Sequence, residues 1–181
     1  MEERDFYRSN LPHLQPKEGT LFITYRLYGS IPQSVIQRLQ EEHRQTIEKI
    51  ESEYRKIILT DLPLDIQKQW KTIYKKKKYD EDWHYFEEFD SFLDSNLNEP
   101  HWLKRPEIAH LVADSIHFSN NRHYKLWAFC IMSNHVHLLV TMLPDVPILW
   151  KVLQNRKKYT AVHANKLLGL TGQFWERESY D

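Results

Sequence analysis

The chain has 181 residues with only four glycines and one cysteine, and its 25 basic and 25 acidic side chains give a formal net charge of zero. That size suits one domain with a real core. A single cysteine excludes a disulfide framework or a cysteine-built zinc site within the chain, no apolar run reaches the length of a membrane span, and the charged amino terminus is unlike a signal peptide. A cytoplasmic protein with no membrane partner is the default expectation. Neutrality argues against a nucleic-acid partner, but the charges are segregated. Residues 80–99 hold eight acids and no Lys or Arg, whereas residues 151–169 hold five Lys or Arg and no acid. The segregation keeps a polyanionic partner open.

Residues 1–18 are polar, carry Pro12 and Pro16, and read as an extended arm. Leu21 to Tyr28 is rich in aromatic and branched residues and closed by Gly29, which predicts a first strand. Pro32 suits a helix first turn. Ile36, Leu39, His43, Ile47, Ile50, Tyr54 and Ile57 then recur at three and four residues, as on one face of a long helix, and Leu62-Pro63 breaks it. Ile66, Trp70 and Ile73 support a second helix running into Lys75 to Lys78, a run that reads as a solvated helix end or as a phosphate contact. Trp83, Phe86, Phe89, Phe92 and Leu93 form an aromatic stripe between acids, read as helix core rather than a stacking platform. Pro106 opens another helix, with Ile108, Leu111, Val112 and Ile116 inward. Tyr124 to Met132 is apolar on both parities, the pattern of a central strand covered on both faces. Its lone Cys130 reads as a buried thiol. Ser133-Asn134 is either a tight connection or a bulge in one long strand.

The run from His135 to Met142 carries the chemistry. Side chains two apart on a strand share a face, so His135 and His137 stand side by side, their backbones roughly 6.6 Å apart. Two imidazoles so placed can converge on one ion or one phosphate. The other parity, Val136, Leu138, Val140 and Met142, faces a core. A His-x-His pair alone serves equally as ligands or as structural histidines. No further histidine nominates itself as a ligand, which speaks against tetrahedral zinc. After a turn at Pro144-Asp145, Leu149, Val152, Leu153, Arg156, Tyr159, His163 and Leu167 mark a helix of about five turns, ended by Gly169. Its basic residues, Lys151, Arg156, Lys157, Lys158 and Lys166, form a solvated face or, beside a metal-like pair, a phosphate-facing one. Phe174-Trp175 reads as a core anchor, and Tyr180 as a surface tyrosine or a nucleophile. The order of strand, helices, two strands and helix makes an α+β fold.

The stretch Met132-Ser-Asn-His-Val-His-Leu-Leu-Val140 is followed by Leu153-Gln-Asn-Arg-Lys-Lys-Tyr-Thr-Ala161 and Ala164-Asn-Lys166. Gly172-Gln-Phe-Trp-Glu-Arg-Glu-Ser-Tyr-Asp181 completes the succession. It resembles the HUH-type single-tyrosine transposases, in particular the REP-associated branch of the IS200-like family with a helical insertion after the first strand. Weaker agreement extends to Thr20–Leu27 and His101–Val112. The resemblance implies one transposase-like domain over residues 1–181, with a ferredoxin-like antiparallel sheet and a helical insertion at about 30–118. It implies that His135 and His137 bind Mg2+ or Mn2+ at the scissile phosphate of single-stranded or hairpin DNA, and that a tyrosine attacks to leave a 5′-phosphotyrosine. Lys157, Lys158 and Asn165 become candidate DNA contacts, in a monomer or homodimer. In the relatives the nucleophile, and usually a third metal ligand, lie on a helix after the Phe-Trp-x-Arg-Glu segment. This chain stops at Asp181 before such a helix, as expected of a truncated or decayed copy. Tyr180 aligns with the linking segment and is only a fallback nucleophile. Two other function classes stand beside this one: a DNA-binding module without catalysis, and a metal-dependent phosphoesterase using the same pair.

Overall fold

The computed structural model describes residues 6–8, 12–14, 19–58, 62–96 and 100–180. The chain divides into two compact units, one of residues 31–96 and one of residues 1–30 with 97–181.

The sheet unit begins with a two-stranded antiparallel ladder, β1 (Phe6–Arg8) and β2 (Pro12–Leu14). These strands fall within the expected arm of residues 1–18, whose other residues lie outside the described ones. The main sheet has four strands: β3 (Thr20–Leu27), β4 (Tyr124–Ile131), β5 (His135–Met142) and β6 (Trp175–Tyr180). Their order is β4-β5-β3-β6, and every neighbouring pair is antiparallel. With α3 (Pro106–Ser119) before β4 and α4 (Leu149–Leu168) between β5 and β6, this is the split arrangement of a ferredoxin-like α+β fold. Pro106 opens α3 at a position where its missing N–H costs nothing. Gly169 ends α4 in the left-handed conformation, at φ 66°, and its N–H caps the Asn165 carbonyl.

Alternation places the core. Leu21, Ile23, Tyr25 and Leu27 of β3 and Val136, Leu138 and Val140 of β5 are buried on one sheet face. Ile108, Val112 and Ile116 of α3 and Leu149, Val152, Leu153 and Ala164 of α4 cover them. Each of the Leu, Ile and Val side chains contributes about 1.5–3 kcal/mol of hydrophobic free energy. The cluster also takes in Phe174 and Trp175. Trp175 donates its indole N–H to Thr160 Oγ1 at 2.8 Å, and Phe174 stacks on Trp102 with ring centroids 5.3 Å apart. The Phe174-Trp175 step is thus the core anchor read from the sequence, and it leads into β6.

Two expectations are corrected here, and one open alternative is decided. Tyr124–Ile131 is an edge strand, not a central one; its second apolar parity faces outward, with Trp127 54% exposed. For the same reason Cys130 is an exposed thiol rather than a buried one. Ser133-Asn134 is a connection between two strands, closed by a bond from Met132 N–H to the His135 carbonyl at 2.9 Å.

The other unit contains α1 (Gln33–Ile58) and α2 (Leu64–Ser95). They pair antiparallel: Tyr54 stacks on Tyr74 at 4.4 Å and His43 on Tyr85 at 4.7 Å, while Lys77 meets Glu53 at 3.2 Å. Lys75 to Lys78 lie in the middle of α2, not at a helix end. Lys76, Lys77 and Lys78 each pair with an acid, so the run is a salt-bridged helix face. Tyr85, Phe86, Phe89 and Leu93 are buried, but Trp83 of the aromatic stripe is 50% exposed.

Candidate metal centre

His135 and His137 sit on β5 on the sheet face opposite α3 and α4, with Val136 between them turned into the core. Their Nε2 atoms are 3.0 Å apart and their rings are nearly perpendicular, at 80°. Each ring is held from its other nitrogen. His135 Nδ1 lies 2.7 Å from Asn134 Oδ1; an amide oxygen only accepts, so this imidazole donates from Nδ1 and turns a lone pair at Nε2 toward its neighbour. His137 Nδ1 lies 2.9 Å from the Thr24 hydroxyl, a group able to donate or accept. Phe22 stacks on the His137 ring at 5.3 Å.

Strand register explains these partners. Thr24 stands opposite His137 and Arg26 opposite His135 across the β3–β5 ladder, and directly opposed residues share a face. The turn before His135 is clamped. Leu27 N–H donates to the Asn134 carbonyl at 2.8 Å, and Leu103 N–H to the Ser133 carbonyl at 3.1 Å. His101 Nδ1 meets Ser133 Oγ at 2.9 Å. Arg26, buried at the same end, pairs with Glu176 at 3.5 Å. His135 is fully buried. Burial, and then the neighbouring His137, push its pKa down to about 4, so its nitrogen stays free of a second proton across the neutral range.

This donor set fits a divalent ion. Neutral imidazole is the ligating form, and 3.0 Å is about the spacing of adjacent donors around an octahedral ion with bonds of about 2.1 Å. Partners on the outer nitrogens are the usual means of fixing ring orientation. Thr24 and Phe22 are not legible as supports from the sequence, because two strands do not by themselves fix their register; Asn134 adjoins His135 in the chain, and its contact is local.

The other expected site residues are dispersed. α4 lies on the core face, away from the histidines. Lys157 Nζ donates to the Arg177 carbonyl at 3.0 Å and lies 3.3 Å from Ser179 Oγ, which ties α4 to β6. Asn165 Nδ2 donates to the Gly172 carbonyl at 3.0 Å. Lys158 is exposed. The backbone of Tyr180 is in β6, opposite Thr24, so it is aligned with His137 across one intervening strand.

Residues 103–181 match the family model of the IS200-like transposases. That stretch runs from the short 3-10 turn before α3 to the end of β6 and contains both histidines. No curated protein and no solved structure matches. Among the described residues, no helix is long and apolar enough to cross a membrane.

Proposed function

We propose that this protein is a DNA transposase of the HUH type, in the REP-associated branch, which cuts and rejoins single-stranded or hairpin DNA. The observation that carries the reading is the convergence of His135 and His137 Nε2 at 3.0 Å, inside the stretch similar to IS200-like transposases. His135 and His137 would hold Mg2+ or Mn2+, and such an ion supplies charge stabilisation and orientation for phosphoryl oxygens. Asn134 keeps the His135 proton on Nδ1, and the Thr24 hydroxyl orients His137. A tyrosine oxygen then attacks phosphorus as the 3′-oxygen leaves. The products are a 5′-phosphotyrosine and a free 3′-hydroxyl, and the ester conserves the energy needed for rejoining. A phenol with an ordinary pKa near 10 loses its proton in that step. Tyr180, in register with His137 through Thr24, is the tyrosine to test first in this chain. Of the α4 candidates, exposed Lys158 would meet phosphates directly. Lys157 and Asn165 would act through the β6 and Gly172 backbone they hold.

The test is incubation with end-labelled hairpin DNA and Mn2+, followed by a denaturing gel. The expected result is a metal-dependent covalent adduct that disappears in His135→Ala and His137→Ala. Loss of adduct in Tyr180→Phe assigns the nucleophile, whereas persistence there moves it to another tyrosine. Metal-dependent hydrolysis with no adduct would replace the transposase reading by a phosphoesterase. Salt-sensitive binding without any cleavage would replace it by a DNA-binding module.

A further inference from the structure

The sheet face that carries the histidines changes character along its length. At one end Thr24, Arg26 and His135 are buried. At the other, Phe22 is 45% and Trp127 54% exposed. Register links the two ends: Thr24 opposes His137, Phe22 opposes Leu139, and Thr20 and Lys125 both oppose Thr141. Trp127 is the residue left between the paired Leu126 and Ala128 where the β4–β5 register shifts. It is nevertheless fastened to this face, because its indole N–H donates to Thr141 Oγ1 at 2.9 Å. Thr141 Oγ1 in turn lies 2.8 Å from Thr20 Oγ1, and the Lys125 ammonium sits 3.8 Å above the indole ring.

We propose that Trp127 and Phe22 form a stacking platform for unpaired DNA bases that flank the phosphate held at the histidine pair. The inference rests on the function proposed above and adds a binding surface to it. Phe22 is stacked on His137, so an aromatic surface begins at the candidate metal centre. From His137 to the Thr141 row is four residues of β5, about 13 Å. Stacking is helped by a ring held in place with its polar edge already satisfied, and the Thr141 bond supplies that to Trp127. The occupant follows from charge. Lysine is depleted in the cores of protein–protein interfaces, so Lys125 over the ring disfavours an apolar protein partner. Beside a phosphodiester chain the same ammonium is favourable, and aromatic rings paired with cations are how proteins hold single strands with little sequence preference.

The experiment measures binding of fluorescein-labelled dT12 to the full chain by anisotropy, with Mn2+ uptake followed in parallel by electron paramagnetic resonance. Trp127→Ala is expected to weaken dT12 binding about tenfold, and Phe22→Ala less, while Trp127→Phe keeps most of the affinity. Mn2+ uptake is expected to be unchanged in Trp127→Ala, and circular dichroism checks that the variant is folded. Lys125→Gln is expected to lower the salt dependence of binding. Wild-type affinity for dT12 in Trp127→Ala, or equal competition by a 12-base-pair duplex, overturns the platform. Trp127-dependent dT12 binding without Mn2+ uptake supports the platform and removes the metal reading. Mn2+ uptake with Trp127-independent binding does the reverse.

Discussion

His43 and His135 are two inward-turned histidines whose pKa values move in opposite directions. His43, on α1, lies between two carboxylates of α2, with Glu81 Oε1 at 3.4 Å from Nδ1 and Asp82 Oδ1 at 3.3 Å from Nε2. Burial disfavours its charged form, but Asp82 and then Glu81 outweigh that, and its pKa is raised. His135, on β5, has an amide oxygen on one side and a second imidazole on the other, and its pKa falls to about 4. Acids beside an imidazole make a proton holder. A buried imidazole whose outer nitrogen is engaged by an amide oxygen keeps a lone pair for another cation. One residue type is therefore a structural ion-pair member in the helical unit and a candidate ligand in the sheet unit.

The largest effect expected from this contrast is acid sensitivity of the chelator-treated chain. The folded pKa of His135 is depressed, so the unfolded chain binds more protons as pH falls below the ordinary 6.5. Stability is then lost progressively down to about pH 4, by on the order of 3 kcal/mol. Urea melts at pH 7 and 4.5 check it: His135→Gln is expected to flatten the difference, and an unchanged slope would break the contrast at its sheet end. A smaller effect is expected at Thr24. Thr24→Val is expected to weaken Mn2+ binding about tenfold, with Thr24→Ser restoring it, the usual range for a group that orients a ligand. Equal affinity in both variants would mean that the His137 ring needs no hydroxyl behind it. The smallest effect belongs to His43. Its raised pKa contributes stability that is complete below 6.5 and disappears as pH rises through the folded value. Melts of wild type and His43→Gln from pH 5.5 to 8.5 are expected to converge at the alkaline end, with a gap at pH 5.5 of less than about 1 kcal/mol. A gap that widens with pH would reverse the assignment.

The residues that could be read from the sequence are those whose environment is local. The parity of β5 separates His135 and His137 from Val136, Leu138 and Val140 without reference to any other segment, and all five side chains follow it. The periodicity of α1 and the Gly169 stop of α4 depend on neighbours within one or two turns, and both elements formed as expected. Misreadings arose where an apolar pattern has two explanations. Tyr124–Ile131 is apolar on both parities as a buried central strand would be, but it is an edge strand whose second face is open. The Lys75–Lys78 run has pairing partners on α1, Glu53 and Glu51, that no local pattern reveals.

Tertiary structure decided what stands behind the histidines. Strand pairing is a choice among distant segments, and a shift of one residue would turn every side chain to the other face. The observed register brings Thr24 and Phe22 from over a hundred residues away to His137, and β6 brings the backbone of Tyr180 into line with them. The spacing of two histidines is a property of one strand and is written in the sequence. The Thr24 hydroxyl behind His137, the open aromatic surface beside the pair and the solvent exposure of Cys130 belong to the sheet order β4-β5-β3-β6, which only the packed core selects.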